Sequence, residues 1–241
     1  MSPTTRRRSA QPPITDAQIE LAAQAARCVV ETHTALVGFL KHGQTLAEID
    51  RFVVQTLDGM SCKSCFMGYR AGRHPPFPAH ACLSVNETVV HGHPGSYQEP
   101  MREGDVLKID VGVTRHGWIG DAAYTYSFGE PDANTRWLMD CGKESLRRGI
   151  DAMQSGAPLV AWAKAIQPYV EKDCGFHMVR GLGGHGIGRS LHSPPFISNV
   201  VPTVAALEWR EANDAFVPGM LLAVEPMIAV GTGRIKQDGN A

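Results

Sequence analysis

The sequence predicts an α+β fold with helices on one side of a curved sheet. Two observations carry this. Helix-period and strand-period text alternate in long blocks: helical from residue 15, strand-like from 81 to 128, helical again to 173, then irregular with a final strand. The second is an internal echo. "HGQTLAEIDRFV" (42–53) and "SGAPLVAWAKAI" (155–166) share a glycine, a leucine and a large apolar residue at the same spacing. Two similar halves, each with two helices followed by strands, would produce it. With 43% hydrophobic residues in 241, the chain can bury a real core.

Residues 1–13 read as a disordered tail, and 14–241 as a single domain. Thr15 and Gln18 form a capping box, opening a helix whose apolar positions are Ile19, Ala22, Ala26, Val29 and Val30, with Gly43 as its stop. Thr45 and Glu48 open a second helix, with Leu46, Ile49, Val53 and Leu57 on one face. The Gly-, Pro- and Cys-rich segment 60–80 reads as a surface loop. "ACLSVNETVVHG", "DVLKIDVGV" and "GWIGDAAYTYSFG" read as strands. Helices follow at 132–153 and 159–173. Beyond Cys174 the text gives a glycine-rich turn, a proline-broken loop at "LHSPPF" and a strand over 220–229.

Composition removes several function classes. A net charge of −1 gives no global pull toward DNA or a membrane. Arg6, Arg7 and Arg8 form a basic cluster in a polar tail, a solvated run whose sharper reading is a transient contact with ribosomal RNA. No run of 18 apolar residues exists, and the N-terminus lacks the apolar stretch of a secretory signal. The six cysteines are therefore expected as reduced thiols in the cytoplasm. Cys62 and Cys65 make a single CxxC, with no second pair to complete a zinc knuckle.

Chemistry enters through three acids set in apolar strands. Glu225 interrupts "LLAVEPMIAV", a run that reads as buried on both faces. Asp110 lies in "VLKIDVGV" and Asp121 in "WIGDAAYTY", and a hairpin could put both carboxylates on one face. Like charges gathered in a core repel and raise each other's pKa unless cations sit between them. Pro226 holds Glu225 in the extended region and breaks the strand beside it. In "GLGGHGIGRSLHSPP", Gly181, Gly183 and Gly186 match a dinucleotide fingerprint, but no helix can open before Pro194 and Pro195. The better reading is that glycines crowd the backbone around His185, with His192 on the other side of the loop. His91 ends a strand; His33, His74, His80 and His93 read as surface residues. Carboxylates with one imidazole suit Mn²⁺, Fe²⁺, Co²⁺ or Zn²⁺, and such a site hydrolyses amides or phosphoesters.

"SVNETVVHG", "KIDVGV" with "GDAAYTY", "GGHGIGRSLHSPP" and "GMLLAVEPM", in that order, resemble the type I methionine aminopeptidases, of the M24 family with the pita-bread fold. The likeness runs from about Thr15 to Gly239. It implies a curved antiparallel sheet with helices on its outer face and pseudo-twofold halves. It implies two divalent ions, with Asp110 on one, Asp121 between them, and His185 and Glu225 on the other. His192 would bind the scissile carbonyl, His91 would face the departing amide nitrogen, and Glu225 would move the proton of the attacking water. Cys65, Cys82, Tyr69 and Phe77 would line the methionine pocket; Leu191 stands where the family often has Phe. The implied activity is removal of the initiator methionine from nascent proteins with a small second residue, by a cytoplasmic monomer whose partner is the nascent N-terminus. This chain itself begins Met-Ser-Pro.

The family pattern also has a second bridging glutamate, expected beyond Ala241, and no acid here replaces it. On that pattern the chain lacks its last strands and could hold a single ion. The alternatives are a proline-selective pita-bread aminopeptidase, or a non-catalytic peptide-binding protein of this fold.

Overall fold

The protein is described by a computed structural model covering residues 14–72, 74–204 and 208–237. The expected tail at 1–13, with Arg6, Arg7 and Arg8, lies outside the described residues. Helix α1 (Asp16–Phe39) opens on the Thr15–Gln18 capping box. Its inward face differs from the predicted one. Ile19 and Val30 are exposed, while Ala22, Ala25, Cys28, Val29, Thr32, His33 and Leu36 are buried. Close approach decides this, because a Cβ on Gly120 would run into the backbone of Ala25. The helix also stops at Phe39, not at Gly43. Gln44 ends it: its side-chain amide donates to the Phe39 carbonyl (3.1 Å) and its oxygen accepts the Lys41 N–H (2.8 Å).

Helix α2 (Leu46–Gly59) carries the second capping box, from Thr45 and Glu48, and buries Leu46, Ile49, Val53 and Leu57 as predicted. Both helices cover an antiparallel sheet of β1 (Lys63–Ser64), β2 (Cys82–Val85), β3 (Val106–Arg115) and β4 (Trp118–Ser127). Strand β3 pairs with β4 along its whole length; β2 and β1 share its other edge.

The second half repeats the helical plan. Helix α3 (Ala133–Ala152) is capped by Asp132, whose side chain accepts the Thr135 N–H at 2.7 Å. Helix α4 (Val160–Pro168) runs into a π-helical turn, Tyr169–Asp173. Leu46, Ile49, Val53 and Leu57 recur 113 residues later as Leu159, Trp162, Ile166 and Val170, and all eight are fully buried. Cys28 of α1 likewise recurs as Cys141 of α3. The short echo in the sequence is thus the visible part of a repeat in burial.

Four predicted elements are corrected. The "glycine-rich turn" is strand β6 (Gly183–Gly186), and "LHSPPF" is largely strand β7 (Ser193–Ser198), containing a cis Pro194–Pro195 bond. Glycine and proline usually mark loops; here the glycines permit packing, since a Cβ on Gly184 would meet the Ala223 carbonyl and one on Gly186 the Pro194 carbonyl. The strand over 220–229 is two short pieces, β8 (Leu222–Ala223) on β6 and β9 (Ile228–Ala229) on β5 (His177–Met178). It is half-buried rather than buried on both faces. Finally, segment 60–80 is not all surface: Cys62 and Phe66 are buried.

Candidate metal centre

Asp110 and Asp121 are brought together by the β3–β4 hairpin. Asp110 sits opposite Ala123 and Asp121 opposite Gly112, so the two acids are diagonal neighbours on one face. His185 comes from β6 and Glu225 from the break between β8 and β9. His185 Nε2 lies 3.7 Å from Asp121 Oδ2 and 3.6 Å from Glu225 Oε1. His185 Nδ1 stands 3.1 Å from the Gly186 carbonyl, which accepts its proton and leaves the Nε2 lone pair toward the acids. The Glu225 backbone is fixed by Asn199, whose amide donates to the Glu225 carbonyl (2.8 Å) and whose oxygen accepts from Trp162 Nε1 (3.0 Å). Asn199 is fully buried, and nothing in "ISNVV" marked it out.

The electrostatics are those of a site short of positive charge. Burial pushes the Asp110 carboxyl up. Asp121 rises well above the carboxylate range, through burial first and then the charge of Asp110. Glu225 is pushed up to about 8, again by burial and then by Asp110. Burial holds His185 below the usual imidazole range, as a neutral ligand-competent ring.

These residues fit a divalent cation. Asp121 Oδ1 is buried with no hydrogen-bond partner, an acceptor aimed at nothing in the protein. Oxygen donors with one neutral imidazole are a set for Mn²⁺, Fe²⁺, Co²⁺ or Zn²⁺. Among the described residues no three such side chains are already closed around one point. Ligands about 2.1 Å from one ion lie roughly 3.0–3.5 Å apart, so the observed pairs are wide by a few tenths of an ångström.

A second cluster adjoins the first. Phe66, Cys82 and Leu191 are buried together, with Cys65, Tyr69, Phe77 and Ile119 packed against them. Cys82 is registered opposite Asp110, so this apolar cluster lies beside the carboxylates. Burial and the charges of Asp121 and Asp110 push the Cys65 thiol up to about 12, so it meets a ligand as an apolar sulfur. Cys62 goes elsewhere: its sulfur is 3.1 Å from that of Cys28 in the α1–α2 core. All six cysteines are free.

His192 packs edge-on to His185, with ring centres 4.4 Å apart, and its Nδ1 is 2.6 Å from the Tyr69 hydroxyl. His91 is at the surface, in a left-handed conformation (φ 62°), and its N–H donates to Cys82 Sγ at 2.8 Å. It follows Val90 in the loop beyond β2 rather than ending a strand. His33, expected at the surface, is buried, with Nδ1 2.8 Å from the Tyr126 hydroxyl and Nε2 2.9 Å from the Ala122 carbonyl. It is a structural histidine beneath β4.

This fold and donor set define a metallopeptidase. Residues 20–239 match metallopeptidase family M24, and the chain belongs to that family. It is 35% identical to the methionine aminopeptidase of Clostridium acetobutylicum, over 93% of this chain and 84% of that protein. Against methionine aminopeptidase 1 of Bacillus subtilis it is 33% identical, over 92% and 84%. The crystal structure of the Thermotoga maritima methionine aminopeptidase superposes with a TM-score of 0.84 at 31% identity, covering 95% of this chain and 86% of that one. A Xaa-Pro dipeptidase from Bacillus anthracis, at 17% identity and TM-score 0.71, shares the fold.

Proposed function

We propose that this chain is a methionyl aminopeptidase, removing the initiator methionine from nascent proteins with a small second residue, in the cytoplasm. The observation that carries the reading is the apolar cluster beside the carboxylates. Cys65, Cys82, Tyr69 and Phe77 offer polarisable sulfur and aromatic edges to a thioether, at the edge of the acid cluster. Asp121, His185 and Glu225 would hold one divalent ion, and Asp110 with Asp121 a second. Bound there, divalent ions supply an activated water and polarise the scissile carbonyl.

The chain's own groups do the rest. Glu225 would take a proton from the attacking water and pass it to the departing amine. His192 would donate to the carbonyl oxygen as charge develops there. His91 would face the amide nitrogen, its position tied to the pocket through Cys82.

Hydrolysis of Met-Ala-Ser, Met-Leu-Ser and Xaa-Pro peptides, each with Co²⁺ or Mn²⁺, tests this. Methionine release from Met-Ala-Ser in preference to the others is expected. A folded protein that turns over none of them with any metal, or prefers Xaa-Pro, refutes it. Micromolar binding of Mn²⁺ or Co²⁺ by calorimetry is also expected; failure to bind either would favour a peptide-binding protein.

A further inference from the structure

His192 has a hydrogen-bond partner whose chemistry sets which ring nitrogen carries the proton. A neutral imidazole has one N–H and one acceptor nitrogen. The Tyr69 hydroxyl meets Nδ1 at 2.6 Å, with the two rings tilted and centred 5.3 Å apart. A phenol is the better donor of the two groups. When it donates to Nδ1, the imidazole proton must sit on Nε2. A histidine that is to donate to a substrate carbonyl through Nε2 needs that tautomer.

Tyr69 is itself held firmly. Its N–H donates to the Phe66 carbonyl and its carbonyl accepts the Phe77 N–H, both at 2.8 Å. Gly68 N–H also donates to the Phe77 carbonyl at 2.8 Å, so the segment from Phe66 to Phe77 doubles back on itself. Phe66 and Phe77 meet edge to face, with ring centres 6.2 Å apart. On the other side, Leu191 is buried in the same cluster and fixes the backbone just before His192. The backbones of both partners are therefore anchored, and the Tyr69–His192 contact sets the ring.

We propose that Tyr69 is a positioning residue, whose hydroxyl donates to Nδ1 of His192 and holds it in the tautomer with the proton on Nε2. The role rests on the methionyl aminopeptidase reading, but the tautomer does not. Tyr69 thus does more than wall the methionine pocket: the segment that shapes the pocket also orients the group that meets the carbonyl.

Tyr69→Phe tests this, since it removes one oxygen and keeps the ring in its apolar cluster. In Zn²⁺-incubated protein labelled with ¹⁵N at histidine, long-range ¹H–¹⁵N spectra report each tautomer, and His192→Ala assigns the signal. The parent is expected to show His192 protonated on Nε2, and Tyr69→Phe a mixture of tautomers. With Met-Ala-Ser, kcat should fall about tenfold or more while KM stays within roughly twofold. That fall should be smaller than the ~10²–10³ expected for losing a donor to the developing oxyanion outright. In the His192→Ala background Tyr69→Phe should cost nothing further. A parent His192 protonated on Nδ1, a tautomer unchanged in Tyr69→Phe, or a rise in KM at constant kcat each overturns the proposal. A parent that releases no methionine from any peptide overturns the functional reading, while the spectra still decide what Tyr69 does.

Discussion

Asn199→Ala is the sharpest test of how the site is held. Asn199 is fully buried and joins two otherwise remote groups, Trp162 Nε1 of α4 at 3.0 Å and the Glu225 carbonyl at 2.8 Å. Truncation removes two hydrogen bonds, each worth about 1 kcal/mol net, and strands the indole N–H of Trp162, which is itself fully buried. A stranded donor adds about 1–3 kcal/mol, so the total loss is about 3–5 kcal/mol. For a chain of this size that lowers Tm by roughly 6–20 °C. The carboxylate of Glu225 loses its backbone tether, so Mn²⁺ affinity should fall about 10–100-fold, as when the support behind a metal ligand is removed. Thermal unfolding and calorimetric titration measure the two effects. Trp162→Phe controls for the stranded donor, and the double variant should be less damaged than the sum of the singles. An Asn199→Ala protein within about 0.5 kcal/mol of the parent, or one that binds Mn²⁺ as tightly, would refute the argument.

Other outcomes follow from the same geometry. In metal-free protein the carboxyls of Asp110, Asp121 and Glu225 have pKa values raised by folding, so the folded state binds more protons than the unfolded one. Their contribution to stability is present below the ordinary carboxylate range and is lost as the pH rises toward about 8, the folded value of Glu225. His185 and His192, held below 6.5, act oppositely and destabilise as the pH falls toward about 4. Urea melts from pH 4 to 9 check both, and added Mn²⁺ should raise stability most at the alkaline end, where proton competition vanishes. Gly184→Ala places a methyl against the Ala223 carbonyl; separating β6 from β8 should cost at least about 1–3 kcal/mol and weaken metal binding through His185, by melting and calorimetry. Thr45→Ala removes one member of a capping box and should cost about 1 kcal/mol without changing kcat.

What could be read in the sequence was whatever is enforced locally. The capping boxes at Thr15 and Thr45 are side chain–backbone contacts three residues apart, and both are present. The face of α2 follows from period alone, because Leu46, Ile49, Val53 and Leu57 have no rivals. Asp110, Asp121 and Glu225 stood out because a carboxylate in an apolar strand violates the pattern around it. What escaped depends on partners far along the chain. The face of α1 is set by Gly120, nearly a hundred residues away, which lets Ala25 rather than Ile19 approach the sheet. Strands β6 and β7 carry glycines and prolines because backbones pass close there, the reverse of what those residues mean locally. His33 gave no periodic signal of its role, since Tyr126 and Ala122 reach it from β4. Asn199 failed to stand out because a lone amide in a short apolar run looks like a turn.

The candidate ligands divide evenly between the two halves. Each half has its own core, one under α1 and α2, the other under α3 and α4. The first half carries Asp110 and Asp121 on a long hairpin; the second carries His185 on β6 and Glu225 in the break between β8 and β9. In the proposed site the ion of Asp121, His185 and Glu225 would draw its ligands from both halves, at the seam between them. That seam is small. The Ile119 N–H donates to the Gly188 carbonyl at 2.7 Å, and the guanidinium of Arg189 lies 4.7 Å from the centre of the Trp118 ring. Two minor apolar clusters also span it: Ala22, Ala25 and Trp118 with Leu221, and the cluster of Phe66 and Cys82, which takes Leu191 from the second half. The residues proposed to line the methionine pocket thus also pack one half against the other. Leu191→Ala should therefore act on both pocket and metal centre. Beyond the about 2–5 kcal/mol of a buried leucine truncation, it should lower Mn²⁺ affinity although Leu191 offers no ligand. Tight metal binding in a folded Leu191→Ala protein would show instead that the seam is held without the pocket.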